Sequence, residues 1–578
     1  MSEPIVFSTA PEDFDYMRFN VPCQGACPAA TNIPAYIRRV FEDNPDASYH
    51  INQMANILPG VLGRICSRPC ENLCRHGEAE LGSPVNICHL KRAAADFKTG
   101  RIPKEKPLFP RVDKSVAVIG SGPAGLAAAH DLAGLGFDVT LFEAFPEPGG
   151  MLRYGIPSFR LPRHLLDAEI QAILDLGVRL KTGVRIGVDV TVERLLSDHD
   201  AVLAAAGCYD ANRLNLPGED LPGVYYGLDF MIDVCSGNIP KLGDKVLVIG
   251  AGFTAFDCVR SSLRLGAKEI RLCLRRTEED LVVNPDEILE AKKEGIHMES
   301  LMLSRRIVGK NRVEGVAFVR TRPGERRPDG KRDIAPIDGS DFVLPADAVI
   351  IATGQRPRPL EMPGGQTDRH TFKADPDTLA TSRPGLYVAG DYLTGPSTVI
   401  EAIAMGRRAA EQMARDLTGR RFREKAVRME ETDITDRQRA WDFLPRQDMP
   451  TIQPVEERFE AFEKEVETGF PMDQAVAESK RCYLCYLHYE IDLDRCIYCR
   501  YCIDVAPRDC IKMVKAVQTN AVGAVAGLVE TTNWREVHAI VIDNARCIRC
   551  GECLRVCPVN CISVTRVELV ERLSQTGE

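Results

Sequence analysis

The chain has few aromatic residues, 6% of 578 positions with only two tryptophans, and no surplus of positive charge, its net charge being −9. An acidic balance of 73 Lys and Arg against 82 Asp and Glu argues against a nucleic-acid partner, because proteins that bind that polyanion are basic. No apolar run is long enough to cross a bilayer. The longest small-apolar stretch, Ala521 to Val529, falls far short, so no membrane insertion is expected. The N-terminal MSEPIVFSTAPEDFDYMRFN has no basic segment followed by an apolar one, so no signal peptide is expected and the protein is expected to be cytoplasmic. No Ser–His–Asp or glutaminase-like constellation is visible. What the chain has in excess is cysteine, 21 in all. In a reducing compartment these cannot be a disulfide framework, and thiols held by metal are the expectation.

The cysteines are unevenly placed. Six lie between Cys23 and Cys88, eleven between Cys482 and Cys561, and four (Cys208, Cys235, Cys258 and Cys273) in the long middle. Near the C-terminus they form Cys496-x-x-Cys499-x-x-Cys502 and Cys547-x-x-Cys550-x-x-Cys553-x-x-x-Cys557-Pro558. This is the bacterial ferredoxin spacing, in which three close thiolates hold one iron–sulfur cube and the distant fourth holds the other. A zinc site would need only two C-x-x-C pairs. The first run carries Ala506 where its fourth cysteine belongs. One cluster is therefore predicted on Cys496, Cys499, Cys502 and Cys557, and a second on Cys547, Cys550 and Cys553 with Cys510. Cys510 lies about one helical turn beyond Ala506. Cys561, at the matching offset in the second run, is the alternative donor, and a three-iron cluster is the alternative to both. Cys482-x-x-Cys485 is left over, either capping another metal or vestigial.

The middle reads as a two-nucleotide protein. In VAVIGSGPAGLAAAHDLAGLGFDVTLFE, 116–143, an apolar strand enters Gly120-x-Gly122-x-x-Gly125, a helix beginning Pro123-Ala124 follows, and a second strand ends at Glu143. This is the dinucleotide fingerprint, with Gly120 for the turn, Gly122 for approach of a pyrophosphate and Gly125 for helix–sheet packing. Glu143 is placed to accept from a ribose hydroxyl. The pattern returns at 246–276 as Gly250-x-Gly252-x-x-Ala255, its second strand ending in Arg275 and Arg276. Two arginines where an acid would hold a 2′-hydroxyl point to a 2′-phosphate, and so to NADPH. The alternative is a solvated basic turn ahead of Glu278, Glu279 and Asp280. Asp347 to Gly354 is a further apolar strand into a glycine turn, and Gly385 to Asp391 closes on an acid placed for a flavin's ribityl chain.

The stretches Gly149-Gly150-Met151-Leu152-Arg153-Tyr154-Gly155-Ile156-Pro157, Phe159-Arg160-Leu161-Pro162 and Gly390-Asp391 with Gly395 to Ile403 resemble the small-subunit family of glutamate synthase, shared with the flavin half of dihydropyrimidine dehydrogenase. The resemblance covers roughly residues 20–420 and implies electron passage from NADPH through FAD to iron–sulfur clusters. It implies that Gly149, Gly150 and Leu152 lie against FAD, with Asp391 and Thr398 on its ribityl and ring side. The second fingerprint departs from that family, with Phe253-Thr254-Ala255-Phe256-Asp257 for its usual Asn-Val-Ala-Met-Asp. Cys23-x-x-x-Cys27-Pro28, Cys66-x-x-x-Cys70-x-x-x-Cys74 and Cys88 resemble that family's helical cluster domain, without its additional leading C-x-x-C. One 4Fe–4S cluster is expected there, on Cys27, Cys66 and Cys70 with either Cys23 or Cys74. Cys88 reads as core as readily as ligand, and His76 and His89 as surface or packing residues.

The expectation is a multidomain α/β protein. A helical iron–sulfur domain spans 1–105. An FAD-binding domain spans 106–235 and 345–420 and includes Gly354. An NADPH-binding domain, 236–344, is inserted in it. A linker, 421–480, leads to a ferredoxin-like α+β module, 481–578. FAD, NADP(H) and about three 4Fe–4S clusters follow. The predicted function is electron transfer between NADP(H) and a ferredoxin or iron–sulfur partner subunit of a larger redox complex, of the 2-oxoacid:ferredoxin or aryl-CoA-reducing kind. The alternative is a glutamate synthase small subunit feeding a glutamate-forming large subunit. A thiol–disulfide reductase would need a C-x-x-C beside the flavin, and the four middle cysteines are isolated. A non-enzymatic cluster scaffold would not need intact nucleotide motifs.

Overall fold

The structure, a computed structural model, describes residues 20–78, 82–100, 107–327, 332–360, 373–433, 436–519 and 525–573. The segment carrying the signal-peptide reading, and the start of the Ala521–Val529 run, lie outside the described residues. The chain forms two compact units. One comprises Met1–Arg101, Arg421–Pro450 and Gly469–Glu578, the other Ile102–Arg420 and Thr451–Thr468. Among the described residues no helix is long and apolar enough to cross a membrane.

The second unit holds two five-stranded parallel sheets. The first runs Leu386–Val388, Ala201–Ala204, Ser115–Ile119, Asp138–Phe142, Arg179–Lys181. The other runs Val224–Tyr226, Ala348–Ala352, Lys245–Gly250, Glu269–Cys273, His297–Glu299. In each the fingerprint strand is central and buried along its apolar run, as parallel strands covered on both faces must be. The boundaries differ from the sequence expectation. Val224–Tyr226 and Ala348–Ala352 belong to the second sheet, so that domain reaches 224–352. An apolar run with all five residues buried suits either sheet. What places it is Asp347, whose Oδ2 accepts from the N–H groups of Asp244 and Lys245 at 2.9 Å each.

Helix Pro123–Gly134 starts on proline, which loses nothing at the first helical turn. Helix Val399–Thr418 starts on a capping box, Thr398 with Glu401, and ends at Gly419 in the left-handed region. The two helices pack at Gly406, where a Cβ would stand 2.1 Å from the Ala124 carbonyl oxygen.

A buried charge cluster joins the second sheet's helices to the returning segment Thr451–Thr468. Glu294 is held bidentately by Arg260 (2.9 and 3.1 Å) and by Arg264 (3.0 Å twice), and Arg458 approaches it at 3.5 Å. Arg458 also meets Glu290 at 2.7 Å. Burial alone would push the Glu294 carboxyl up, but Arg260 and Arg264 bring it down to about 2.

In the first unit, helices Pro22–Ala26, Ile33–Phe41, Pro45–Asn56, Pro59–Ile65 and Pro69–Asn72 each carry proline in the first two positions. Ile87–Phe97 crosses Pro59–Ile65 at Gly63, where a Cβ would stand 2.7 Å from Arg92 Cα. Strand Ile562–Leu573 pairs antiparallel with Leu487–Ile491 on one side and with Arg423–Glu431 on the other. The stretch 421–480 is thus no free linker: it opens with this strand and continues onto the helices. The carboxylate of buried Glu478 accepts from Asn86 N (2.9 Å), Gln447 N (2.8 Å) and Arg481 Nη1 (2.7 Å). The charge and proline content that suggested a tether is absorbed by such contacts.

Gly406→Ala should lower Tm although alanine is the better helix former by about 1 kcal/mol. The clash is with backbone that cannot swing aside, and overpacking costs about 1–3 kcal/mol; a raised Tm would refute the close crossing. Glu294 has its pKa depressed below an ordinary value of 4.5. The stability it contributes is therefore complete above that value and lost as pH falls toward about 2. Glu294→Gln should cost about 3–5 kcal/mol at neutral pH, and its Tm should fall less than the wild type's between pH 4.5 and 2. Equal acid sensitivity in the two would contradict the assignment.

Candidate functional site

The first glycine turn is tied into one body with two later segments. Gly120 takes φ 98°, and a Cβ there would meet Ala205 O at 2.5 Å. At Gly122 a Cβ would meet nothing within 4 Å, so the space before the helix N-terminus is open, as an incoming pyrophosphate needs. Glu143 is buried. Its Oε2 accepts from Ser121 N (3.0 Å) and Oγ (2.5 Å), and its Oε1 from Phe145 N (2.9 Å). Ser121 Oγ in turn accepts from Gly149 N at 3.0 Å. A Cβ on Gly150 would lie 2.8 Å from Gly122 Cα, and Leu152 just beyond is fully buried. From the far end of this unit, Gly390 packs on Ala124 (2.8 Å from its Cβ position to the alanine Cβ). Asp391 Oδ1 accepts from Ser397 N (3.0 Å) and Oγ (2.6 Å). Burial raises the Asp391 carboxyl above its usual range against those two bonds. Thr398, expected beside a flavin ring, spends its hydroxyl on the helix cap with Glu401 at 2.7 Å. Gly354 stands apart from this turn in the fold, following strand Ala348–Ala352 of the second sheet and accepting from Asn212 N at 3.0 Å.

The second turn repeats the geometry. A Cβ on Gly250 would meet Ala352 O at 2.4 Å, Gly252 faces open space, and Ala255 is a buried residue of helix Phe253–Arg264. At the end of the neighbouring strand, Arg276 Nε donates to the Arg332 carbonyl at 2.6 Å. The Arg275 side chain is exposed, and among the described residues its guanidinium has no hydrogen-bond or ion-pair partner. Partial burial and the like charge of Arg276 lower its pKa, a strain that an anion would relieve. The nearby acids are committed elsewhere. Asp280 accepts from Thr277 Oγ1 (2.9 Å) and faces Arg326 (3.5 Å) and Arg332 (3.6 Å), and Glu278 pairs with Lys292 (2.5 Å).

A residue pair that sequence reasoning did not single out connects the two nucleotide domains. Arg160 Nη1 donates to Asp257 Oδ1 at 2.7 Å, and its other arm meets Glu287. Phe159 lies under the Arg264 guanidinium, 3.9 Å from ring centroid to Cζ. The only sequence signal was that Arg160 lies in a stretch carrying the family resemblance and that Asp257 keeps the acid which ends the family's usual run in the otherwise divergent second fingerprint.

In the first unit the thiols gather in four groups. Cys496, Cys499, Cys502, Cys557 and Cys561 line one cavity of about 320 Å³. Cys557 and Cys561 sulfurs stand 3.5 Å apart. The Cys510 and Cys547 thiols are hydrogen-bonded to each other, with Cys550 and Cys553 beside them. That bond holds Cys547 down at about 6 and pushes Cys510 far up. Cys66 is hydrogen-bonded to Cys88, with Cys70 and Cys27 near. Burial alone would depress the Lys91 ammonium, yet Cys66, Cys88, Cys70 and Cys27 hold it above its ordinary value. Cys23 and Cys74 face a different cavity, lined also by Cys482 and Cys485. Helical Cys88 thus stands beside Cys66 of the Cys27 group, while Cys23 and Cys74, the expected candidates for its fourth member, face the other cavity. His76 and His89 are packing residues, 5.0 Å from the Tyr483 ring and 5.5 Å from the Phe470 ring. Among the described residues no three His, Cys, Asp or Glu side chains converge tightly enough for a single ion. That holds for the ferredoxin-spaced thiols too, whose natural guest is a cube with one thiolate per iron corner.

Comparison with known proteins gives three family matches: pyridine nucleotide-disulphide oxidoreductase over residues 114–406, dihydropyrimidine dehydrogenase domain II, 4Fe-4S cluster, over 18–101, and 4Fe-4S dicluster domain over 495–561. The chain is 38% identical to the NADP(+)-dependent formate dehydrogenase subunit beta of Moorella thermoacetica, over 80% of this chain and 70% of that one. It is 35% identical to the NADPH-Fe(3+) oxidoreductase subunit beta of Geobacter sulfurreducens, over 81% and 75%. To the glutamate synthase [NADPH] small chain of Escherichia coli it is 34% identical, over 67% and 87%.

Proposed function

Because this chain belongs to the pyridine nucleotide-disulphide oxidoreductase family, in its NADPH-dependent FAD and iron–sulfur branch, we propose that it moves electrons between NADP(H) and an iron–sulfur partner subunit. The observation that carries the reading is the presence in one chain of two open glycine turns and groups of buried thiols. When bound, FAD supplies two-electron exchange with the nicotinamide and one-electron exchange with 4Fe–4S clusters.

The residues divide the work. Gly120, Gly122, Pro123, Ala124 and Gly125 would present the helix N-terminus to the FAD pyrophosphate. Glu143, already fixed by Ser121, keeps lone pairs for a ribose. Gly149, Gly150 and Leu152 exclude water from one side, and Asp391, oriented by Ser397, would take the ribityl hydroxyls. Gly250, Gly252 and Ala255 would bind NADPH, with Arg275 and Arg276 on its 2′-phosphate. Arg160 holds the two domains in register through Asp257. Cys496, Cys499, Cys502 and Cys557 would hold one cluster, Cys510, Cys547, Cys550 and Cys553 a second, and Cys27, Cys66, Cys70 and Cys88 a third. Lys91 would offset the negative charge of the third.

For the partner, a ferredoxin-linked or iron–sulfur redox subunit is favoured over a glutamate-forming one. The matches to the formate dehydrogenase and Fe(3+) oxidoreductase beta subunits span 80% and 81% of the chain, against 67% for the glutamate synthase small chain. Anaerobic NADPH should bleach the flavin band of the purified chain; a band unmoved by NADPH would end the reading.

Replacing Arg275 and Arg276 by alanine should raise KM for NADPH by at least about 10- to 100-fold, the worth of a single charged hydrogen-bonding partner, and leave KM for NADH nearly unchanged. A wild type that prefers NADH would refute the phosphate role. Cys510→Ala should remove or convert one cluster, seen as a changed EPR spectrum of the reduced protein, while flavin bleaching by NADPH persists. An unchanged spectrum would redirect attention to Cys561.

A further inference from the structure

Cys482 and Cys485 lie outside both 4Fe-4S matches, which cover 18–101 and 495–561. The structure nevertheless folds them as a cluster loop. The third residue of this C-x-x-C, Leu484, takes φ 52° and donates its N–H to Cys482 Sγ at 3.4 Å. Tyr498 and Arg549 hold the same position in the two ferredoxin-spaced loops, each at φ 57°, and Arg549 N–H donates to Cys547 Sγ at 3.4 Å. A left-handed non-glycine residue is strained and persists only where its surroundings impose it. Three C-x-x-C loops of one chain share this conformation.

The pair faces Cys23 and Cys74 across a cavity of about 360 Å³ whose other walls include Ile33, Ile37 and Val85. The ferredoxin-type cavity of this unit measures about 320 Å³ and is likewise lined by thiols on apolar walls. Two buried guanidiniums stand where the negative charge of a thiolate-bound cube would need them. Arg437 Nε donates to the Cys482 carbonyl at 3.1 Å, and Arg549 Nη2 to the Cys485 carbonyl at 3.4 Å. Neither side chain has more than about 1% of its surface exposed.

We propose that Cys23, Cys74, Cys482 and Cys485 hold a further 4Fe–4S cluster, its ligands drawn from both ends of the chain. The inference adds one site to the function proposed above and rests on it only for the identity of the metal group. It also gives the thiol groups an order. Cys70 of the Cys27 group neighbours Cys23 on one side. On the other, Arg549 spans the Cys485 carbonyl and the Cys547 sulfur, and Cys553 of that group neighbours Cys502. The four groups thus form a row, with the proposed cluster joining the helical part of the unit to the ferredoxin-type part.

The test is iron, acid-labile sulfide and zinc per chain in the anaerobically purified full-length protein. Four cubes give about 16 irons, and three give about 12. The wild type should carry the larger number and no stoichiometric zinc. The double variant Cys482→Ala, Cys485→Ala should lose about four irons and four sulfides. Cys23→Ala should lose the same four, and the triple variant no more than the double. Flavin content and its bleaching by NADPH should stay as in the wild type. A wild type near 12 irons, zinc that departs with Cys482 and Cys485, or variants that keep all their iron would each overturn the proposal. Where the variants do not fold, the wild-type count decides. A flavin that NADPH fails to bleach in a protein with the full iron count would defeat the proposed function and leave this site standing.

Discussion

A buried thiol must either keep its proton or give it up to a cation, and the first unit is arranged around that constraint. Cys23, Cys70, Cys485, Cys502, Cys510, Cys547, Cys550, Cys553 and Cys561 belong to the same packed core as Tyr36, Leu90, Tyr489 and Val564. Free cysteine fills space like a small hydrophobe, so these side chains contribute to the core as apolar groups. Burial raises the Cys74 thiol to about 11 and the Cys482 thiol to about 12. A metal core that displaces those protons returns its binding free energy as folding free energy. Under the proposed ligation, core packing and metal binding would be performed by the same side chains.

The nucleotide unit solves a different problem with fixed charges. Two domains that each present a glycine turn must hold a constant relation if a nicotinamide is to meet a flavin. Arg160, reaching Asp257 and Glu287, supplies a link that is directional because a guanidinium fork accepts carboxylates only in its plane. Its neighbour Phe159 is wedged between Arg264 and Phe462. A buried ion pair of this kind is poor value for stability alone, and its worth here lies in geometry.

Local chemistry was legible in the sequence, and long-range pairing was not. Gly120 to Gly125 and Gly250 to Ala255 could be read because each motif carries its own strand, turn and helix. The ferredoxin runs could be read because spacing fixes which thiolates share a cube, and the likeness of Cys510 and Cys561 in offset was visible too. Cys482 and Cys485 were legible as a leftover C-x-x-C pair but not as neighbours of Cys23, since spacing says nothing about partners from the other end of the chain. Cys88 hid within a helix whose apolar face explained it equally well. Strand Ala348–Ala352 could have joined either sheet, and the side chain that decides, Asp347, looks like any turn acid. Arg423–Glu431 is charged along its length, which masked a strand whose partner, Ile562–Leu573, is more than a hundred residues on.

The bond from Asn86 N–H to the Glu478 carboxylate spans 392 positions of sequence. A ribosome adding roughly 5–20 residues per second needs about 20–80 seconds to cover that distance. For that interval the N-terminal helices have been made and the segment that pairs with them has not. The N-terminal thiols are therefore made well before the segment that packs over their helices, and the order of synthesis separates their exposure from their burial in time.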